Sequence, residues 1–400
     1  MVLLLLYGVA LPTARADLKP ASLSLGETAP AGQLTLHSRV LDETVTVWIR
    51  LPRNYDPETS RYPVLYVLDA EWHFNIVAAD VELLSECSYI SSHPAPPMIV
   101  VGVASSDRNR DYTPTFCPAF KNMKFPTSGG AAEFRRFLVT ELVPLIDETY
   151  STHPYRILGG WSLGGLFAVR SMLAGTAVFN AYVAVSPSLW WDDGLVLKQL
   201  SDRSSIKEHS RPAKLIVTLG SAEKNSMVEK STNQFLSLLS EDPLENVVTR
   251  FVPVEGLGHN YSPKMAYFLG LAEIFDDWNV PADVIERGLA DADAYYAALS
   301  DSYGFEIPVP EDVYSKLGWG LFEAEKIDES RETFQAWNER YPQSALASAS
   351  LGAFLREIGE NTDAIRYLKL AIDQEKKSPS PRRNFILDLE RDVDALEAQK

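Results

Sequence analysis

The order of apolar runs restricts this chain to one fold class. Short β-branched stretches recur at 63–68 (PVLYVL), 98–103 (MIVVGV), 156–159, 181–185 (AYVAV), 214–219 (KLIVTL) and 247–254. Consecutive apolar residues of this kind suit strands buried on both faces. Between them, residues 131–150, 163–174, 224–240 and 262–278 carry apolar positions at helical spacing. Alternating strands and helices predict an α/β fold, with a mostly parallel sheet covered by helices on both faces. Residues 34–52 instead alternate apolar and polar side chains, the pattern of half-buried antiparallel strands. This block covers 30–280.

The remainder reads differently. Residues 315–337 and 349–371 superimpose at an offset of 34, with Leu317-Gly318 on Leu351-Gly352 and Phe334 on Leu368. That period, with paired helical halves, predicts an all-α region of tetratricopeptide-like repeats over 311–400. ERYPQS (339–344) supplies the turn between units, and residues near 380–396 would cap them. Pro281 and GFEIPVPED (304–312) mark a joint over 281–310. Such a tail offers a surface for a protein partner.

The net charge is −17, which argues against nucleic acid and anionic membrane as partners. The first sixteen residues, MVLLLLYGVALPTARA, have the apolar run and the Ala14-Arg15-Ala16 ending of a signal peptide cleaved after Ala16. The expected location is therefore periplasmic or secreted. The alternative is a buried N-terminal strand. No other run is long enough for a membrane helix, so an integral membrane protein is not expected. In an exported protein Cys87 and Cys117 have two open states, one disulfide or two free thiols.

One serine stands out. Gly160-Trp161-Ser162-Leu163-Gly164 has the G-x-S-x-G form of a nucleophile elbow, between a strand ending at RILGG and a helix beginning at LGGLFAV. The chain must turn sharply with Ser162 at the tip in strained geometry, and glycines two residues either side avoid collision. The Leu163 N–H would then face a developing oxyanion. The bland alternative is a glycine-rich turn with a surface serine.

An alcohol needs a base to take its proton. Only His209 and His259 follow Ser162. His209, in the polar IKEHSRP, reads as a solvated loop residue. His259, in EGLGHNY just after the last strand, is the expected base; imidazole as a class titrates close to neutral pH. The acid should leave an earlier strand tip. Glu223, in GSAEKN, is the first candidate, with Asp192 and Asp193 as the fallback. A second oxyanion N–H should come from Ala70, Glu71 or Trp72 in LDAEWHF. There is no H-E-x-x-H, no clustered Cys/His spacing and no phosphate-loop or dinucleotide fingerprint, so the sequence implies no metal and no cofactor.

YVLDAEWHF, DRNRDYTPT, GGWSLGGLFAV, SPSLWW, LGSAEKN and GLGHNY occur in this order. Together they resemble the "putative esterase" family of α/β-hydrolases that includes the siderophore esterases and, more distantly, mycolyltransferases and feruloyl esterases. The resemblance covers roughly 30–280. It implies a serine esterase with Ser162 as nucleophile, His259 as base and Glu223 as acid, acting on a small-molecule ester. It also implies Arg110 near the substrate mouth, assisted by Arg108, with Trp190 and Trp191 on the facing loop. Arginine can fork onto a carboxylate or catecholate, and tryptophan can stack on a ring. The alternatives are a surface pair between Arg110 and Asp111, and tryptophans packed beneath the loop. Two other functions stay open: acyl transfer to an alcohol on the same triad, and an inactive hydrolase platform beside an interaction tail.

Overall fold

The computed structural model describes residues 31–398 apart from 54, 59, 87–94, 176–177, 204–205 and 379–380. The expected signal peptide and Cys87, with its pairing, lie outside the described residues. The chain divides into two compact units, one running through Leu83 and resuming over Pro96–Glu273, the other made of Leu84–Ala95 and Ile274–Lys400.

The first unit is an α/β sandwich. Its strands are β1 (Ala31–Ser38), β2 (Glu43–Arg50), β3 (Tyr62–Leu68), β4 (Ile99–Val103), β7 (Thr152–Trp161), β8 (Ala181–Val185), β9 (Ala213–Gly220) and β10 (Val247–Val254), while β5 (Ala119–Phe120) and β6 (Met123–Lys124) form a separate hairpin. The eight-stranded sheet has the order β1-β2-β4-β3-β7-β8-β9-β10. β1 with β2 and β2 with β4 are antiparallel, and every later pair is parallel. Its helices are α1 (Ala70–Glu86), α2 (Arg108–Tyr112), α3 (Ala131–Phe137), α4 (Val143–Thr149), α5 (Leu163–Leu173), α6 (Trp191–Asp202), α7 (Met227–Glu241) and α8 (Pro263–Ile274).

The burial of the strands follows their sequence. β3, β4 and β8 are buried at every position, whereas β2 alternates. β10 departs from the expected two-sided burial. It is the sheet edge, paired to β9 alone, and leaves Val248 and Phe251 exposed. The expected helix over 131–150 is in three pieces. A π-helical turn at Leu138–Leu142 separates α3 from α4, where Pro144 has no N–H to continue the ladder.

The second unit is all-helical: α9 (Ala282–Arg287), α10 (Leu289–Tyr303), α11 (Glu311–Glu323), α12 (Ile327–Arg340), α13 (Ala345–Glu357), α14 (Asn361–Lys376) and α15 (Arg383–Glu397). α13 begins and ends 34 residues after α11, and α14 begins 34 after α12. The equivalent glycines do the same job: a Cβ on Gly318 would lie 2.7 Å from Phe334, and one on Gly352 2.9 Å from Leu368. No helix among the described residues is long and apolar enough to cross a membrane.

Candidate active site

Parallel strands deliver their carboxyl ends to one edge of the sheet, and three neighbouring tips there hold strained residues. Asp69 follows β3 at φ 53°, Ser162 follows β7 at φ 55°, and Ser186 follows β8 at φ 41°. None is glycine, so each occupies backbone space an L-residue rarely adopts. Close packing explains the elbow. A Cβ on Gly160 would sit 2.2 Å from the Gly164 carbonyl oxygen, so that position accepts only glycine. Gly164 is less restricted than expected, since its Cβ would meet Asp69 Oδ2 at 3.4 Å, an ordinary contact.

The turn brings three distant side chains together. His259 Nε2 lies 3.0 Å from Ser162 Oγ, and His259 Nδ1 lies 2.8 Å from Glu223 Oε2. With Nδ1–H donating to the carboxylate, the Nε2 lone pair is left to accept the serine proton. The His259 loop is fixed from beneath: Trp161 Nε1 donates to the His259 carbonyl at 2.9 Å, and the two rings lie 5.1 Å apart. Glu223 ends a 3₁₀ turn, Ser221–Glu223, directly after β9. Its Oε1 accepts from Ser186 Oγ at 2.6 Å and from the Gly220 N–H at 3.1 Å. Burial pushes the Glu223 carboxyl up, but the bonds from His259, Ser186 and Gly220 outweigh it and hold the group below its ordinary value. Ser188 Oγ lies 3.2 Å from Ser162 Oγ.

Leu163 opens α5, so its N–H has no intrahelical acceptor. Ala70 and Glu71 open α1 in the same way, while the Trp72 and His73 N–H groups bond the Asp69 carbonyl. The Glu71 N–H bonds its own carboxylate, which leaves Ala70 as the better-placed second donor.

The turn bearing Ala70 is held by an ion pair that the sequence did not single out. Arg108 grips the buried Asp69 carboxylate with both prongs, Nε to Oδ1 at 2.9 Å and Nη2 to Oδ2 at 3.0 Å. The Asp69 N–H donates to the Tyr112 hydroxyl at 3.2 Å. Burial pushes the Asp69 carboxyl up, opposed by the Arg108 fork. The guanidinium also lies over Trp72, Trp161 and Tyr112 at 5.4, 5.6 and 5.8 Å.

The other sequence candidates are placed elsewhere. Arg110 spends its whole fork on protein carboxylates, with Nη1 and Nη2 on Glu43 and Nε on Asp111. Trp191 is fully buried and donates to Thr115 Oγ1; Trp190 is half-buried against Phe120 and Phe125. Asp192 accepts from Thr115 Oγ1 at 2.8 Å, and it and Asp193 lie in the non-helical kink that interrupts α6. His209 is buried, with Nε2 2.8 Å from the Met172 carbonyl, because the IKEHSRP segment folds under the end of α5 rather than into solvent. Among the described residues, the exposed aromatics of the carboxyl-edge loops are Trp72, Phe116 and Tyr261. Asp69, Ser186 and Ser188 escaped the sequence reading. For Asp69 and Ser186 the one signal was position, immediately after an apolar run ending at the sheet's carboxyl edge, and Ser188 lies two residues beyond Ser186.

The family model described as "Putative esterase" matches residues 38–252, more than half of the chain. The chain belongs to this esterase family. It is 28% identical over 243 residues to a curated protein, Ferri-bacillibactin esterase BesA of Bacillus subtilis, covering 56% of this chain and 82% of that one. Among solved structures, an IroE-like serine hydrolase from Shewanella oneidensis superposes with a TM-score of 0.66 at 24% identity, covering 78% of this chain and 99% of that one. An uncharacterised protein from Capnocytophaga ochracea superposes with a TM-score of 0.61 at 18% identity, over 92% of this chain and 99% of that one. At these identities the structural likenesses show the fold alone, and the second extends into the helical unit.

Proposed function

We propose that this esterase-family chain is an exported serine esterase that works through an acyl-enzyme on siderophore-type esters. The observation that carries the chemistry is the continuous chain from Ser162 Oγ to His259 Nε2 at 3.0 Å and from His259 Nδ1 to Glu223 Oε2 at 2.8 Å. His259 takes the Ser162 proton as Oγ attacks the ester carbonyl carbon. The resulting oxyanion faces the N–H groups of Leu163 and Ala70. Glu223 holds the imidazole in the required tautomer and stabilises the imidazolium. Collapse breaks the bond to the alcohol oxygen, which leaves with the proton from His259. Water, deprotonated by His259, then attacks the acyl carbon, and Ser162 regains its proton as the acid departs.

The substrate class rests on the similarity to the ferri-bacillibactin esterase and on exposed aromatics at the carboxyl edge. Export rests on the apolar run and Ala14-Arg15-Ala16 ending of the first sixteen residues. In the test, a fluorophosphonate probe labels wild type at Ser162. Ser162→Ala loses the label and drops turnover of a short p-nitrophenyl ester by several orders of magnitude. Wild-type-like turnover in that variant removes the mechanism. A comparison of trilactone siderophores with acetylated sugars and feruloyl esters tests the substrate class, which falls if the trilactones are not turned over.

A further inference from the structure

Acidic residues outnumber basic ones in this chain, 54 to 37, so most arginines have a carboxylate available. Among the described residues, two neighbouring arginines have none. Arg135 on α3 makes no ion pair or side-chain hydrogen bond among the described residues. Its neighbour Arg136 takes Glu133, the acid on that helix. Arg170 on α5 donates Nη1 to the neutral amide oxygen of Gln199 on α6, and its buried Nε has no acceptor among the described residues. The next residue, Ser171, is 1% exposed, and its hydroxyl also has no partner.

These three side chains line one cavity of about 90 Å³ between α3 and α5. The rest of its lining is alanine, proline and Phe167, with no carboxylate. A single water needs only about 10–15 Å³ of such space, so the cavity has room for a small polyatomic ion. Burial, and then the charge of Arg135, hold the Arg170 guanidinium below its ordinary value. Arginine does not give up its proton in proteins, so this strain is relieved by a counter-charge and not by neutralisation. Half-buried charge without a counter-ion and a buried orphan donor are both costly, and here they converge on one space.

We propose that this cavity is a binding site for a small oxyanion, a carboxylate or a phosphate. The guanidinium donors of Arg135 and Arg170 grip the oxygens, the Ser171 hydroxyl donates a further bond, and the alanine, proline and Phe167 lining offers no competing carboxylate. Forked donors match the paired oxygens that both anion types share. The site is separate from the Ser162 machinery and stands whether or not the esterase reading does.

The probes are inorganic phosphate and acetate, each titrated into the full chain against sodium chloride at matched ionic strength, because screening alone stabilises a protein of this charge. A ligand that binds only the folded state raises the melting temperature saturably. The expected result is saturable stabilisation by at least one probe beyond the chloride control. Arg135→Gln should weaken it at least tenfold without altering ester hydrolysis, since Arg135 has no structural partner to lose. Ser171→Ala, which removes only an orphan hydroxyl, should weaken it less. A response to phosphate but not acetate identifies a phosphate site, and the reverse a carboxylate site. The proposal is overturned if neither probe acts beyond chloride, or if Arg135→Gln binds as wild type does.

Discussion

The α/β unit and the helical unit follow opposite rules. Of the eleven non-glycine residues with positive φ among those described, ten lie in the α/β unit and only Glu325 in the helical one. Asp69, Asp111 and Glu223 are buried carboxylates of the first unit, and Glu375 is the second unit's counterpart. Glu375 merely turns inward from a helix to meet Arg382, whose side chain stays largely in water. The helical unit buries aromatics such as Tyr314, Phe334 and Trp337 and, Glu375 apart, keeps its charged side chains at least partly exposed. It breaks local rules only at scattered positions such as Glu325, whereas the α/β unit breaks several at one sheet edge. Local rules are broken where the surrounding structure over-determines the geometry, and those places are expected to carry function. The contrast can be tested by substitutions that treat the two units alike on paper.

The largest effect is expected at the carboxylate behind His259. Glu223→Gln keeps the shape but presents an amide to Nδ1, and kcat should fall by about 10³- to 10⁴-fold, as expected when the imidazole tautomer is lost. Ser186→Ala leaves the Gly220 and His259 bonds to that carboxylate intact and should cost about tenfold. Equal and small losses in both would show that Glu223 is not the acid partner, and the comparison would lose its functional half.

The next effect is on folding. Gly160→Ala places a Cβ 2.2 Å from the Gly164 carbonyl oxygen and 2.3 Å from its carbon, both backbone atoms that cannot rotate away. A loss on the order of 4 kcal/mol is expected in urea denaturation. A wild-type midpoint would show that the elbow relaxes freely and is not strained.

How much of this was legible in the sequence depends on whether a feature is local. Apolar runs placed the parallel strands and spacing placed most helices, because burial on one or two faces writes a period into the chain. The Gly160–Ser162–Gly164 turn was legible for the same reason. The partnership of Ser162 with His259 and Glu223 was expected from element order alone. What escaped needed the third dimension. Arg108 and Arg110 are two residues apart on one short helix, and sequence cannot say that one grips Asp69 while the other is consumed by Glu43 and Asp111. Trp191 looks like a stacking platform in SPSLWW, yet it packs inward beneath Thr115. Strain at Asp69 and Ser186 left no compositional mark, since neither is glycine.

A smaller effect concerns pH. Burial, assisted by Arg61 and Arg156, lowers His153 to about 4, and burial, assisted by Arg108, lowers His73 to about 4. Each is neutral when folded and takes a proton when unfolded below about pH 6.5, so each adds stability above that pH and loses it as the pH falls toward 4. Asp80, raised to about 7 by burial, works in the opposite direction. Replacing His153 with glutamine should flatten the acid loss by on the order of 2 kcal/mol between pH 6.5 and 4, measured by denaturant midpoints across the range. Residues 274–400 contain no histidine, since the last of the six is His259. An unchanged pH slope in the variant would remove buried histidine as the source of acid sensitivity in the α/β unit.

The smallest effect is the control that gives the first comparison its meaning. Gly318→Ala, in α11, has a nominal clash like that of Gly160→Ala, with its Cβ 2.7 Å from Phe334 Cζ and 2.8 Å from Cε1. The obstacle is a ring edge and not a backbone. The ring can tilt by a few tenths of an ångström within its rotamer, and alanine recovers up to about 1 kcal/mol of helix propensity. The two terms nearly cancel, so the net change in the stability of the helical unit should stay within about 1 kcal/mol. The equivalent position, Gly352, is tighter, since its Cβ would also lie 3.1 Å from the Leu368 backbone nitrogen. Gly352→Ala should therefore cost more than Gly318→Ala while still costing less than Gly160→Ala. That ranking, read by denaturation of the three single variants, follows from what each methyl strikes: a ring, then a side chain backed by a helix, then the carbonyl of the Gly160–Gly164 turn itself. A loss at Gly318 as large as that at Gly160 would mean that the helical unit is as intolerant as the sheet edge, and the distinction drawn between the two units would not hold.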